Sequence, residues 1–414
     1  MFNRDFSLVA AGQVISIFGA VVVRFALDLY VLDITGRADI FALVLALSAI
    51  PGILFSPIGG AIADRFNRRN LMVIFDFSSS AIIAALLLMI NTGHSSVVVI
   101  GFALAMLSLI SSMYQPTVQA SVPALVSDEN LASANGFVSG VGAISGLLGP
   151  VAGGVLYSQI GLNTLIGLSC AAFLFSAVME IFIHMPFAQR ERTHSMFITI
   201  IGDLKSGFFY IVKVNPTILK IVLLATAFNL FMLSFFIVGI PYILRIIMRS
   251  SGAMYGIGMG TGQLAAIIGA VLVGVFSRKM QLETLHRVLF FVAILLIPLS
   301  AALTPLMLGL GYWPSFILFI TSCTAVMLLM TVISIFIITS VQKKTPDDML
   351  GKVMAIIMAG TQCAAPLGQA LYGFMLEIFK SAVYIPALAA FLFTMVIVFA
   401  ARAALRSGAA GRRT

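Results

Sequence analysis

The chain has 414 residues, 61% of them apolar and only 9% charged, with a net charge of +9. Soluble domains carry about 25% charged residues, and a water-soluble fold this apolar would expose very large hydrophobic patches, so an ordinary cytosolic protein is excluded. A disordered chain is excluded as well, because disorder needs low hydrophobicity and high charge.

A membrane helix needs about 20 mostly apolar residues. The first predicted helix runs from Phe6 to Leu32 and is interrupted by Arg24 and Asp28. Uncharged runs then follow between Asp39 and Asp64, Asp76 and Asp128, Glu129 and Glu180, Lys220 and Arg245, Arg249 and Arg278, Arg287 and Lys343, Lys352 and Glu377, and Lys380 and Arg402. The three longest, of 51, 50 and 55 residues, each fit two helices. Their predicted breaks lie near Asn91 to His94, at Ile160-Gly161, and between Leu308 and Pro314. Twelve membrane helices result. A transmembrane β-barrel would instead show alternating segments of about ten residues, and the continuous Leu, Ile, Ala, Phe and Met runs argue against it. The opening Met1 to Asp5 leads into a segment too long for a signal-peptide core, so no cleavable leader is expected.

The basic excess follows the same plan. With a cytoplasmic N-terminus and alternating sides, 19 of the 24 Lys and Arg fall inside, and only Arg37, Arg245, Arg249 and Lys380 fall outside. This positive-inside bias places both termini in the cytoplasm of a cell membrane protein. It implies attraction to anionic lipid headgroups and gives no support to nucleic-acid binding. Cys170, Cys323 and Cys363 lie in apolar helices without paired spacing, and read as small core residues.

Two halves are expected: a six-helix bundle over 1–184, a polar linker with an amphipathic helix over 185–215, a second bundle over 216–406, and a cytoplasmic tail over 407–414. Tyr30-Val31-Leu32 recurs as Tyr242-Ile243-Leu244, and Gly136, Gly153 and Tyr157 recur as Gly351, Gly368 and Tyr372, at offsets of 212 and 215. A near-constant offset points to internal duplication with a pseudo-two-fold axis. Carriers built this way place their substrate site between the halves.

Four features carry chemistry. Gly60-Ala-Ile-Ala-Asp64-Arg65-Phe-Asn67-Arg68-Arg69 joins the second and third helices. Gly60 permits close helix approach. Asn67 can take the left-handed turn conformation that Gly usually fills. Asp64 can accept from a helix N-terminus, and the arginines can pair with carboxylates or phosphates. In the fifth helix, Gly136, Ser145, Gly149, Pro150, Gly153 and Gly154 form a small-residue face that includes a helix-bending proline. Ser127 to Asn130 and Thr345-Pro346-Asp347-Asp348 read as helix caps. Arg24 and Asp28 share one face at i,i+4, at a depth where a charge is expensive and turns toward a cavity or a partner. Gln13, Gln115, Gln119, Asn229, Gln263, Gln362 and Gln369 can line a cavity or bond between helices. Asp76, Glu180 and Glu377 lie near predicted helix ends and read as snorkelling or end-capping groups.

The Gly60 to Arg69 run resembles the loop signature of the major facilitator superfamily (MFS), with Asn67 in a glycine place. The fifth-helix pattern is similar to the MFS antiporter motif, with Ser145 in a glycine place. Ala11-Gly12-Gln13, Asp203 to Tyr210 with Asn215-Pro216, and Pro346 to Val353 narrow the resemblance to the macrolide-efflux-like branch of the drug:proton antiporters. The resemblance implies an all-α MFS fold of twelve transmembrane helices in two six-helix bundles. It implies a monomer that exports small amphipathic molecules against protons, with Asp64 as a latch near the eleventh helix. Two departures stand out. The fourth helix, Val97 to Gln119, lacks the arginine that many such antiporters carry, and the second-half loop Gly274 to Lys279 has lost its acid.

Asp28, with Arg24 favouring its charged form, is the expected proton carrier. Gly60, Asp64, Arg65, Arg68 and Arg69 are the expected gate. No ATP-binding loop, nucleophile motif or metal triad is present, so no enzyme, cofactor or metal is expected. A lysophospholipid or other lipid flippase on the same fold is the alternative.

Overall fold

The computed structural model describes residues 4–94, 96–185, 202, 205–276 and 284–410, and all regular structure among them is helical. The helices are α1 (Arg4–Thr35), α2 (Ala38–Arg65), α3 (Arg68–Asn91), α4 (Val97–Leu125), α5 (Asp128–Ile181), α6 (Pro216–Ile247), α7 (Gly252–Phe276), α8 (Leu285–Ala301), α9 (Pro305–Gly309), α10 (Tyr312–Lys344), α11 (Asp347–Ile378) and α12 (Tyr384–Ala410).

Ten of these are long and apolar enough to cross a bilayer. One of the ten, α5, is broken at Gly161, whose φ of 74° and ψ of 169° lie outside the helical range. Only glycine reaches that conformation without a Cβ clash, so α5 supplies two spans, 128–160 and 162–181. Helix α8, at 17 residues, is the shorter twelfth span. The other predicted breaks are present too. Gly93 (φ 76°) ends the turn after α3, and Gly311 (φ 108°) separates the one-turn α9 from α10. Helix α1 is continuous through Arg24 and Asp28, which places the two on one face as their spacing predicts.

Capping explains several boundaries. Ser96 and Thr304 accept from backbone amides three residues on, at 3.3 and 3.5 Å. Asn67 does the same for Asn70 at 3.4 Å, with φ of −61° and ψ of 115°. It is therefore an extended N-cap rather than the left-handed turn residue expected, because capping the next helix uses its side-chain oxygen. Thr345 also differs from expectation: its hydroxyl donates to the Val341 carbonyl at 2.8 Å and closes α10, leaving Pro346 at the start of α11. Of the amphipathic linker helix expected over 195–213, the stretch 205–213 is described and helical, running to Val214 just before α6, while 195–201, 203 and 204 lie outside the described residues, as do Arg278 and Lys279.

The chain forms two compact units. The first comprises Met1–Gly36, Val44–Thr193 and Ser250–Gly260, and the second Arg37–Leu43, His194–Arg249 and Thr261–Thr414. Each unit thus contains one short segment from the other half of the sequence, and the two segments start 213 residues apart, as the repeat requires.

Within the first unit, the 128–160 arm of α5 packs on α1, where a Cβ on Gly153 would stand 3.1 Å from Phe25 Cδ1 and from the Val22 carbonyl. Within the second, a Cβ on Gly368 of α11 would collide with the Leu230 carbonyl and come within 2.7 Å of the Ser234 Cβ in α6. Val22 and Ser234 are related by the 212-residue offset, and Gly153 and Gly368 by 215. The same contact is built twice.

Candidate transport site and gate

Arg24 and Asp28 lie on α1 in the first unit. Arg24 is exposed and Asp28 half-buried. The Asp28 Oδ1 is buried with no hydrogen-bond partner. Arg24 acts on it through space. Among the described residues no ion pair within 4 Å joins the two, so Arg24, one turn away on α1, is not docked on the Asp28 carboxyl.

The gate loop is held by backbone contacts. Arg68 Nε donates to the Ala63 carbonyl at 3.1 Å, and its Nη1 donates to the Ala120 carbonyl of α4 at 2.7 Å. Arg69 donates to the Ile181 carbonyl at the end of α5. Two of the three arginines therefore tie the α2–α3 turn to neighbouring helices; the Ala63 and Ile181 carbonyls belong to last turns, where carbonyls lack intrahelical partners and a cation is favoured. Arg65 is exposed. Gly60 and Asp64 are within helical backbone, and their surroundings lie outside the described residues.

The fifth-helix glycines divide. A Cβ on Gly149 would collide with Val21 of α1. On Gly154 it would collide with the Gly252 carbonyl of α7, and on Gly256 it would stand 2.7 Å from the Pro150 carbonyl. Pro150 is inside the helix and supplies the backbone against which α7 lies. The residue sequence reasoning did not foresee is Gly252: it opens α7, and its own Cβ would meet the Gly154 carbonyl at 2.7 Å. Gly136 has open space around it and makes no such contact.

A second polar cluster lies inside the first unit. Asp76 on α3 and Glu180 on α5 are 2% and 0% exposed. The snorkelling and end-capping roles expected from their positions are corrected by this burial. Distance from a helix end in sequence does not reveal which face of the helix is packed. Ser16 Oγ donates to Asp76 Oδ2 at 2.5 Å and lies 2.9 Å from Ser176 Oγ, while Tyr114 Oη donates to Glu180 Oε1 at 2.9 Å.

Comparison with known proteins gives this geometry a frame. The Major Facilitator Superfamily model matches residues 9–348. The chain belongs to the Major Facilitator Superfamily. Over 370 residues it is 22% identical to Macrolide efflux protein A of Streptococcus pyogenes, spanning 89% of this chain and 88% of that protein. The crystal structure of a bacterial homologue of the iron transporter ferroportin, in an inward-facing state, superposes with a TM-score of 0.69 at 19% identity, covering 96% of this chain and 98% of that one. A bacterial homologue of the human lysosomal transporter Spinster superposes with a TM-score of 0.71 at 14% identity, covering 98% of each. The protein is a multi-span membrane transporter of small molecules, and not an enzyme.

The remaining polar positions distribute across this MFS fold. Gln13 is 2% exposed and donates to the Val138 carbonyl at 3.2 Å, so it bonds between α1 and α5. Asn229 donates to the Ala225 carbonyl at 3.0 Å, within a π-helical turn of α6. Gln115, Gln119, Gln263 and Gln362 are exposed, and Gln369 is buried with its Oε1 unpartnered. The three cysteines are free, but only Cys323 is a core residue as expected; Cys170 is half-buried and Cys363 is exposed, because an apolar helix does not show in sequence which face is packed. Among the described residues no cluster of three or more His, Cys, Asp or Glu could hold a metal ion.

Proposed function

We propose that this MFS transporter exports hydrophobic or amphipathic small molecules, of the macrolide type, by proton antiport. Alternating access would move them outward across the cell membrane, with both termini in the cytoplasm and the monomer as the working unit. The reading is supported by similarity to macrolide efflux proteins over most of both chains. The observation that carries the coupling is Asp28, a membrane-embedded carboxyl with one buried, unpartnered oxygen and an undocked arginine one turn away. A proton on Asp28 removes a charge that the site does not fully compensate, and Arg24 favours its release. Opening the site to water on one side and closing it on the other changes both effects, which is what coupled exchange requires. With 33 Phe and 21 Met, the chain is suited to lining an adaptable apolar cavity, with lipids covering its outer faces.

Two experiments test the reading. Cells expressing the protein should accumulate less erythromycin than controls, and a proton uncoupler should abolish the difference; an uncoupler-insensitive difference would overturn proton antiport. In proteoliposomes with an imposed pH gradient, Asp28→Asn should lose gradient-driven uptake. Undiminished uptake would reduce Arg24 and Asp28 to a structural pair.

A further inference from the structure

The first unit buries a pair of acids, and nothing in the antiport reading uses it. Asp76 (α3) and Glu180 (the 162–181 arm of α5) are 2% and 0% exposed, and they are linked through Ser16 and Ser176, with Ser16 donating to Asp76 and Ser176 one turn before Glu180 on the same helix. The groups facing them can be named element by element. Helix α1 supplies Ser16 and the backbone of Gly12, whose Cβ would stand 3.2 Å from Glu180 Oε1. Helix α4 supplies Tyr114, and α5 supplies Ser176, which donates to the Gly12 carbonyl at 3.2 Å. On α3, one residue beyond the helix start, Arg69 is engaged with the Ile181 carbonyl. At the same end of the unit, the His184 amide donates to Asp5 Oδ1 at 3.0 Å. Among the described residues, no cation makes an ion pair with either buried acid.

Hydrogen bonding is incomplete at one atom. Tyr114 donates to Glu180 Oε1, but Glu180 Oε2 is fully buried and has no partner. An ionised carboxylate with an orphan buried oxygen, beside a second carboxylate and without a counter-ion, is strongly disfavoured. A bound proton relieves both problems, because it neutralises one charge and occupies the orphan oxygen. A metal cation fits less well. The hydroxyls of Ser16 and Tyr114 already point donors at the carboxylates, and the close approach of Gly12 leaves little room for a coordination shell.

We propose that Asp76 and Glu180 form a proton-binding pair inside the first unit, holding one proton between them and exchanging it with water at the end of the unit that carries Asp5 and His184. The proton leaves Glu180 as water reaches Oε2, and Tyr114 and Ser16 then hold the negative charge by hydrogen bonding. Its use in coupling rests on the antiport reading, whereas the protonation itself does not.

Infrared difference spectroscopy on the purified transporter in lipid vesicles, titrated with pH, tests the pair directly. The protonated-carboxyl C=O band of the wild type should weaken in Glu180→Gln and in Asp76→Asn, and persist in Asp28→Asn. Tyr114→Phe, which keeps both acids, should shift the band's frequency. A band unaffected by all three pair variants would overturn the proposal. Uptake of radiolabelled erythromycin is the second readout. Glu180→Gln should lose pH-gradient-driven uptake while retaining gradient-free exchange, and Glu180→Asp should restore driven uptake with a displaced pH profile. Driven uptake equal to wild type in Glu180→Gln and Asp76→Asn would remove the pair from coupling. A wild type that shows the band but no gradient-driven uptake would sink antiport and leave the proton site standing. Uptake driven by a sodium gradient and lost in Glu180→Gln would make the pair a sodium site, and so overturn the proton assignment.

Discussion

Arg68 shows what a single residue does in this fold. Its planar guanidinium reaches carbonyls on two helices, Ala63 at 3.1 Å and Ala120 at 2.7 Å, from one rigid fork. Lysine offers donors but not the fork. Arg68→Lys should therefore lose at least one charge-assisted bond, at a cost of roughly 1.5–3 kcal/mol, read as a lower thermal midpoint in detergent; an unchanged midpoint would mean that the fork to Ala63 and Ala120 does not stabilise the fold. Asp64 is a different case. Its spacing in the loop signature motivates a switch role, so Asp64→Asn should impair efflux without reducing expression or thermal stability. Normal efflux by a well-expressed Asp64→Asn protein would leave only the positive-inside reading of this loop. Outside the membrane spans, Arg37 is bound to Asp39 through two hydrogen bonds of 3.0 and 2.6 Å, which hold its guanidinium above its ordinary pKa. Because both groups are charged across the physiological range, this contact is insensitive to pH there.

The fifth span is the element where packing and motion meet. Gly149 and Gly154 press against α1 and α7 with no room for a Cβ, Gly153 leaves room for a Cβ only in tight contact with α1, and Gly136 faces open space. The difference is testable within one helix. Gly153→Leu should overpack the contact with Val22 and Phe25, costing about 1–3 kcal/mol, and should block transport. Gly136→Leu should be tolerated in both respects. Equal transport by the two variants would mean that Gly153 does not limit the helix contact. Gly154 is the stricter position, because its neighbour is the Gly252 backbone, which cannot rotate away as a side chain can. The antiporter pattern identified α5 as a tightly packed helix, but its partner Gly252 carried no signal, since a glycine at a helix start reads as an ordinary loop boundary.

At the scale of the molecule, both halves repeat one packing scheme. Gly153 of α5 against α1 and Gly368 of α11 against α6 are equivalent contacts within their own units, and Tyr157 and Tyr372 lie one turn beyond the two glycines. The tyrosines have diverged. Tyr157 donates to Asp33 at 2.8 Å, while Tyr372 is buried against Phe235 with its hydroxyl unpartnered. Duplication keeps the backbone contacts, because a glycine interface tolerates no side chain, and leaves side-chain chemistry free to specialise. Orientation is tested at the same scale. A cysteine introduced at Gly411 should resist an impermeant extracellular thiol label in intact cells and react after permeabilisation; labelling in intact cells would reverse the topology.

Hydropathy, uncharged-run lengths and the glycines at the breaks determined the twelve spans, because in lipid every backbone polar group must be satisfied within a helix and about 20 apolar residues suffice to cross. The 212- and 215-residue offsets likewise determined the repeat. Tertiary structure alone decided which polar groups are buried and with whom. Asp76 and Glu180 look like helix-end residues in sequence, yet they sit 2% and 0% exposed among Ser16, Tyr114 and Ser176. Asn67 fits a glycine place by spacing, yet it caps α3 in an extended conformation. The reason is the same in both cases. In a membrane protein nearly every helix is apolar on all sides, so periodicity does not reveal which face meets a neighbour and which meets lipid. Only the packed helices assign those faces, and with them the chemistry of each buried acid.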